Sequence, residues 1–475
     1  MADETEPLIR GASGAGQGLN RWLTGQQHTW LTGIVVAALV LVGGHDLLKN
    51  GAGSSAEDWG NARPLEKLKQ PLVILISLDG FRWGYQQKVS TPNIDSLMAE
   101  GTAAAKGLIP VYPTATFPNH YSIATGLYPA WHGIIQNEFR DPVTRKKFKR
   151  GDNSPEWWLG EPLWVTVTKL GKVAAASFWP GCEVELPPWT CPPQFCPAYN
   201  KSVGEVQRIN QALEWVDLPD EQRPSFMSLY FNSPDAEGHT VGPDGPQLSA
   251  ALQRVDSLLG LLIDGLKARG VYDDVSLILL GDHGMVQTCE GKHIYVEDFK
   301  PWINIPAEWV EYSGTQLTIR PPENVSAVDV HAGMLDALST GKIQNGEHLK
   351  VYLREDLPPR LHYSSGRVQP IIGLVDESYN VAYDRSGTWC GGVHGYDNAL
   401  MSMRSIFIAR GPQFARGRLV PSFENVQKGG TRMNGSTRCP SLPPVVDQAT
   451  ALRNNSNSLR RGVANEDSGA PVSVS

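Results

Sequence analysis

The chain has 475 residues, and its 42 basic against 49 acidic side chains leave a formal charge of -7. At about 150 residues per domain that length allows two or three ordinary domains or one large α/β domain, and the weak negative balance excludes a global field that would recruit nucleic acid or an anionic membrane surface. With 41% hydrophobic and 19% charged residues, the chain is neither disordered throughout nor a polytopic membrane protein.

Trp22 to Gly44 contain no Asp, Glu, Lys or Arg, and Thr29 to Gly44 (TWLTGIVVAALVLVGG) are mostly apolar. As a helix this run would measure about 24 Å, short for a hydrocarbon core of about 30 Å but workable with Trp22 and Trp30 near one interface. A cleaved signal peptide would need a basic region directly before the run, and here about 28 residues with two arginines precede it. The expectation is a cytosolic tail at 1–28, one uncleaved membrane anchor at 29–48 and a polar linker at 49–70. Asn200, Asn324, Asn434 and Asn454 each begin an Asn-x-Ser glycosylation triplet on the C-terminal side of the anchor, and the six cysteines suit disulfides in an oxidising compartment. Together these features predict a type II membrane protein with a lumenal or extracellular body. In the tail, Glu4, Leu8 and Ile9 resemble an acidic dileucine signal for endosomes or vacuoles.

The body is expected over 71–427. Leu72 to Leu78 (LVILISL) form a continuous apolar, β-branched run, the pattern of a strand buried on both faces of a parallel sheet. Phe226 to Phe231, Val275 to Leu280 and Ser405 to Ala409 have the same character, and Gln247 to Arg269 carry apolar residues at helical spacing, with Gly270 as a stop. The alternation predicts a large, mostly parallel α/β sheet with helices on both faces. From 428 to 475 apolar periodicity is lost, and the segment reads as a disordered tail.

Three of these runs lead into carboxylates or histidines. LVILISL meets Asp79, Val275 to Leu280 lead to Asp282 and His283, and Phe226 to Phe231 precede Asp235 and His239; a fourth segment, CGGVHGYDN, places His394 beside Asp397 just before the last run. Open parallel sheets build their sites at the carboxyl ends of strands. Three Asp and three His suffice for two divalent ions of the zinc type in a hydrolytic centre. Thr116 precedes the helical-looking His120 to Thr125, where a helix N-terminus favours an anion. It is a poor nucleophile unless a metal activates it, and Asn137 can donate an amide N–H to a developing phosphoryl oxygen. His120 and His132 carry no pattern that separates them from structural histidines.

The segments LISLDGFRWGY, YPTATFPNHYSIATGLYPAWHGII, PDAEGH, GDHGM and HGYDN resemble the nucleotide pyrophosphatase/phosphodiesterase family of the alkaline phosphatase superfamily, over roughly 71–427. The resemblance implies two Zn2+ ions, one held by Asp79, Thr116, Asp282 and His283 and the other by Asp235, His239 and His394. It also implies that Thr116 becomes transiently esterified and that nucleoside triphosphates or dinucleotides are cleaved to nucleoside 5′-monophosphates, with the base between Phe117 and Tyr199. No nucleic-acid partner is expected beyond possible substrate ends. Three positions depart from the family pattern. Leu159 stands where the family has a phosphate-contacting lysine, Cys182 in FWPGCEV is a candidate for a disulfide, and after PSFENVQ the chain turns to KGGTRMNGSTRCP. The alternatives are a phospholipid or lysophospholipid phosphodiesterase of the same family, and an inactive scaffold or receptor.

Overall fold

The computed structural model describes residues 64–65, 67–289, 291–386 and 390–427. The expected anchor at 29–48 and tail at 428–475, with Asn434, Cys439 and Asn454, lie outside the described residues. Among the described residues no helix is long and apolar enough to cross a membrane. The end of the expected linker is tied to the body, because the Leu65 N–H donates to the Arg269 carbonyl at 2.9 Å and the Leu68 N–H to the Asp274 carboxylate at 3.2 Å.

The body is organised by a seven-stranded sheet. Its strands are β1 (Leu72–Leu78), β2 (Thr102–Ala104), β3 (Ala174–Ser177), β4 (Phe226–Phe231), β5 (Val275–Leu280), β8 (Phe407–Arg410) and β9 (Arg418–Val420). The spatial order is β9-β2-β8-β5-β1-β4-β3. All of β1 is buried, since it is flanked on both sides by parallel neighbours, with Ile76 level with Leu229 of β4 and Leu279 of β5. A strand covered on both edges and both faces can satisfy its backbone only within the sheet, so a run without polar alternation is what it needs.

The last apolar run departs from the parallel expectation. β8 runs antiparallel to β5, with Phe407 opposite Leu280. The start of β8 therefore lies at the same edge as the ends of β1, β4 and β5, and the residues leading into it reach the common crevice from the opposite chain direction. A short antiparallel ribbon completes this arrangement. Its strands β6 (Val286–Thr288) and β7 (Gly391–Val393) pair Val286 with Val393, and a disulfide between Cys289 and Cys390 closes its far end. The ribbon places the residues after β5 beside those after β7.

Three helices matter for the site: α1 (Thr116–Thr125), α2 (Asp235–Val241) and α3 (Pro246–Ala268). The predicted stop of α3 holds, because Gly270 takes a left-handed φ of 71° that a side chain would resist. A separate four-stranded antiparallel sheet, assembled from residues 310–375, surrounds its own core with Met334 and Ile319 at the centre. Its strands are short and partly exposed, so no long apolar run announces them in the sequence.

The cysteines pair in one way that differs from expectation. Cys191 bonds Cys196, leaving Cys182 a buried free thiol. The turn at Pro192, whose carbonyl accepts the Cys196 N–H at 2.7 Å, brings Cys191 and Cys196 to a Cα separation of 5.1 Å. Burial, with the nearby Glu183 charge, pushes the Cys182 thiol well above its ordinary range.

Gly392 of β7 packs directly on α2, so that a methyl group there would overlap the Gly238 carbonyl and lie 2.8 Å from the Met285 sulfur. Backbone cannot yield as a side chain can. Gly392→Ala is expected to cost about 1–3 kcal/mol by overpacking, measurable as a lower urea midpoint with an unchanged slope.

Candidate two-metal active site

Each chemistry-bearing residue predicted from the strand ends arrives at one crevice. Asp79 follows β1, Asp282 and His283 follow β5, and Asp235 opens α2, which carries His239 one turn later. His394 comes from the residue after β7. The ligand atoms fall into two groups, Asp79 with Asp282 and His283, and Asp235 with His239 and His394, each drawn within 4.8 Å.

Thr116 is the first residue of α1, and its hydroxyl lies 3.3 Å from His283 Nε2. Asn137 is close by through the backbone, since its Oδ1 accepts the Phe117 N–H at 2.9 Å. With the oxygen engaged, the NH2 end of that amide is the part left for another acceptor. Asp397 stands apart from both groups, receiving an Arg360 hydrogen bond at 2.7 Å. Asn200 and Asn324 are exposed; Asn200 also accepts from the Ser202 hydroxyl at 2.7 Å.

The donor geometry fits cations. Asp79 Oδ1, Asp235 Oδ1 and Asp282 Oδ2 are buried and accept no hydrogen bond, an arrangement that is costly for carboxylates unless something positive sits against them. The imidazoles make the same point through their tautomers. His239 Nδ1 donates to the Gly392 carbonyl at 2.7 Å and His394 Nδ1 to that of Thr114 at 2.9 Å. When both rings are neutral, their Nε2 atoms therefore face each other as lone pairs at 3.1 Å. His283 likewise bonds the Gly284 carbonyl through Nδ1 at 3.0 Å, which aims Nε2 at Asp282 Oδ2, 3.1 Å away. A backbone carbonyl fixing the far nitrogen is the usual support of a metal-binding histidine.

Electrostatics follow from this crowding. Burial first, then the Asp282 and Asp235 charges, hold the Asp79 carboxyl well above the usual carboxylate range. Burial also raises Asp235, against the pull of His239. For Asp282 burial is outweighed by the His283 and His120 charges, which hold it below the usual range. For His283 the Asp282 charge overcomes burial and raises the imidazole. His394 is driven well below the ordinary histidine range by burial and the neighbouring His283 and His239 charges, so it stays neutral and able to bind a metal.

Two supporting residues carry no distinguishing signal in the sequence. Tyr230, one residue from the end of β4, donates its hydroxyl to Asp79 Oδ2 at 2.6 Å. His120 is excluded from the metal groups, as expected, but it lies under them. Its Nδ1 is 2.9 Å from the Thr116 carbonyl and 3.3 Å from Asp282 Oδ2, and its Nε2 is 2.8 Å from the Ser77 hydroxyl. His132 is buried elsewhere, its imidazole depressed to about 3 by burial.

Beside the metal groups opens a cleft of about 410 Å³ whose lining includes Thr116, Phe117, Asp235 and Tyr199. Tyr199 is 53% exposed at its rim and meets the Phe178 ring edge-on at 5.3 Å between centroids. The two predicted aromatics, Phe117 and Tyr199, thus share one cleft with the threonine.

Residues 73–397 match the family model described as type I phosphodiesterase / nucleotide pyrophosphatase. The chain is 40% identical over 369 residues to venom phosphodiesterase 2 of Crotalus adamanteus, covering 76% of this chain and 44% of that protein. It is 39% identical over 372 residues to ectonucleotide pyrophosphatase/phosphodiesterase family member 3 of Rattus norvegicus, covering 76% of this chain and 41% of the relative. The chain therefore spans less than half the length of these curated relatives. The solved structure of murine ectonucleotide pyrophosphatase/phosphodiesterase 5 superposes with a TM-score of 0.67 at 33% identity, over 75% of this chain and 92% of that one. An inactive form of the murine protein has also been solved in complex with AMP. This chain belongs to the type I phosphodiesterase / nucleotide pyrophosphatase family, and its fold is that of these relatives.

Tyr230→Phe removes the hydroxyl that orients Asp79 and leaves a second carboxylate oxygen bare. Metal affinity is expected to fall about tenfold to a hundredfold, the usual cost of losing an outer hydrogen bond, read by competition with a chromogenic chelator.

Proposed function

We propose that this protein is a zinc-dependent hydrolase of phosphodiester and pyrophosphate bonds in nucleotides, with Thr116 as the nucleophile and nucleoside 5′-monophosphates as products. The observation that carries the reading is the meeting of the Thr116 hydroxyl, at the N-terminus of α1 and 3.3 Å from His283 Nε2, with two adjacent Asp/His groups whose carboxylate oxygens and imidazole nitrogens converge. Family membership supports it, as do relatives named as phosphodiesterases and pyrophosphatases and the AMP complex of the murine relative.

Asp79, Asp282 and His283 would hold one Zn2+ beside Thr116, and Asp235, His239 and His394 the other. Bound there, two zinc ions supply Lewis-acid polarisation of the phosphoryl oxygens and make the threonine hydroxyl and a water acidic enough to react at neutral pH. The chain's own residues do the rest. Thr116 is placed at a helix N-terminus, where backbone N–H groups favour an anionic phosphate. Its oxygen forms the new bond to phosphorus as the bond to the leaving oxygen breaks, and the hydroxyl proton passes to solvent. Asn137 is held by one hydrogen bond to the Phe117 N–H, next to Thr116, and its NH2 group would donate to the equatorial oxygen on which charge develops. Water then attacks the phosphothreonine, its proton is lost and the threonine hydroxyl is restored. The base would lie between Phe117 and Tyr199, a contact open to any base because each has a π-face.

The surroundings proposed for this site are the lumenal or extracellular side of a membrane, with residues 29–48 as anchor, glycans at Asn200 and Asn324, and endosomal or vacuolar sorting through Leu8 and Ile9. The two disulfides support an oxidising compartment.

Mass spectrometry of products from the full chain, zinc and ATP tests the reading. AMP with pyrophosphate is the expected pair, and Thr116→Ala is expected to lower turnover by at least about a thousandfold, the scale lost when a nucleophile is removed. ADP with phosphate, or equal turnover by the variant, would overturn it.

A second expectation concerns pH. Asp79, Asp235 and His283 have raised values without metal, so the folded metal-free chain holds protons that its unfolded form has already lost. Its stability contribution from these groups is complete below the ordinary values and drains away as pH rises through the raised ones. Metal needs them deprotonated. The stabilisation gained on adding zinc is therefore expected to grow as pH rises from about 4, seen as a widening gap between chelated and zinc-loaded Tm; a constant gap would refute it.

A further inference from the structure

The charges lining the cleft are unevenly distributed. Asp79, Asp235 and Glu183 all face it, and Arg150 is the one cation among its described lining residues. Leu159, at the position where the family resemblance implies a phosphate-contacting lysine, is 45% exposed and sits over the Gly133 backbone rather than on the cleft wall.

Arg150 is held there by its neighbours. It follows the two-residue strand Lys147–Phe148, whose Phe148 is fully buried. The Phe148 ring packs edge-on against Phe117 at 6.2 Å between centroids, and Phe117 is the residue after Thr116. The next residue, Gly151, takes a φ of 84°, which turns the chain at the rim. Phe148 thus wedges the base of the loop against the nucleophile's own helix, and Arg150 projects from it. Among the described residues the Arg150 guanidinium makes no hydrogen bond or salt bridge, in contrast to Arg145 and Arg367 in the same region.

An unpaired guanidinium at the mouth of an otherwise acidic cleft has an obvious complement. Resting on the phosphodiesterase reading, we propose that Arg150 is a specificity residue that grips the phosphate oxygens beyond the attacked phosphorus, favouring substrates whose leaving group is itself a phosphate chain. The oxygens on the attacked phosphorus face the two Asp/His groups, whereas phosphates further along the chain would project outward to the exposed rim where Arg150 stands. A planar guanidinium can take two such oxygens at once.

The test compares two substrates on the full zinc-loaded chain: ATP, whose leaving group is pyrophosphate, and the p-nitrophenyl ester of thymidine 5′-monophosphate, whose leaving group carries no phosphate. Arg150→Ala is expected to lower the ratio of kcat/KM for ATP over the ester by about tenfold to a hundredfold, the range for a lost hydrogen bond to a charged group. Arg150→Lys should restore part of the ratio, and added salt should erode the ratio more in the unaltered protein than in Arg150→Ala. A ratio that stays within about twofold in Arg150→Ala would overturn the inference while leaving the phosphodiesterase reading standing. Failure of the unaltered protein to cleave either compound would overturn both.

Discussion

Three carboxylates, two of them buried, and three histidines drawn into two tight groups are the constraint on which the rest of the structure depends. Two like charges 4 Å apart repel by about 4 kcal/mol at an effective dielectric of 20, and the burial of Asp79, Asp282 and His283 removes the water that would soften this. Without a cation, burial and the neighbouring charges push the Asp79 carboxyl well above the usual carboxylate range, and burial raises that of Asp235. The fold keeps the groups together because none of them sits on a free end. Each is within three residues of a strand or inside a helix whose hydrophobic packing opposes any separation.

Rigidity is distributed among elements with different chemistry. The central strands β1, β4 and β5 supply position through a parallel register. The ribbon of β6 and β7, closed by its disulfide, carries His394 back to His283, and the two rings stack at 3.5 Å between centroids. Orientation within those positions comes from hydrogen bonds to the backbone. The carbonyls of Thr114, Gly284 and Gly392 each take one imidazole N–H, so the nitrogen lone pairs converge by default. Tyr230 does the same for the Asp79 carboxylate from below.

Next to this centre the cleft changes character. Aromatic rings from Phe117, Phe178 and Tyr199 offer flat apolar contact, suited to a base, while Arg150 offers the opposite charge to Asp79 and Asp235. Glu183 ties the rim together by accepting the Tyr199 N–H at 2.8 Å and an Asn153 side-chain N–H at 3.2 Å. The cleft is therefore graded from a charged, buried floor to an exposed aromatic edge. That gradient matches a substrate with an anionic phosphate at one end and a planar base at the other.

Much of this was legible in the residue order. Leu72–Leu78, Phe226–Phe231 and Val275–Leu280 were readable as strands because a strand buried on all sides tolerates only apolar residues, and the Asp and His that follow stand out against such runs. Asp79, Asp235, His239, Asp282 and His283 were legible for that reason, His394 from its place just before the last run and Thr116 from the helical pattern after it, and the match of long motifs identified the family. The direction of β8 was not legible, because an apolar run looks the same read either way, nor was the pairing that left Cys182 free, because that depends on where a turn brings two sulfurs. The four-stranded sheet over 310–375, with its short half-exposed strands, gave no periodic signal. Tyr230, His120 and Arg150 were likewise silent, since a tyrosine in a strand, a histidine in a helix and an arginine in a loop acquire their roles only from what they face. The sequence by itself determined which chemical groups terminate which buried strands, because burial filters residue types locally; only the tertiary structure decided which lone pairs converge, which carboxyls are pushed above their usual range and where Arg150 stands on the cleft, because those properties depend on distances between residues far apart in the chain.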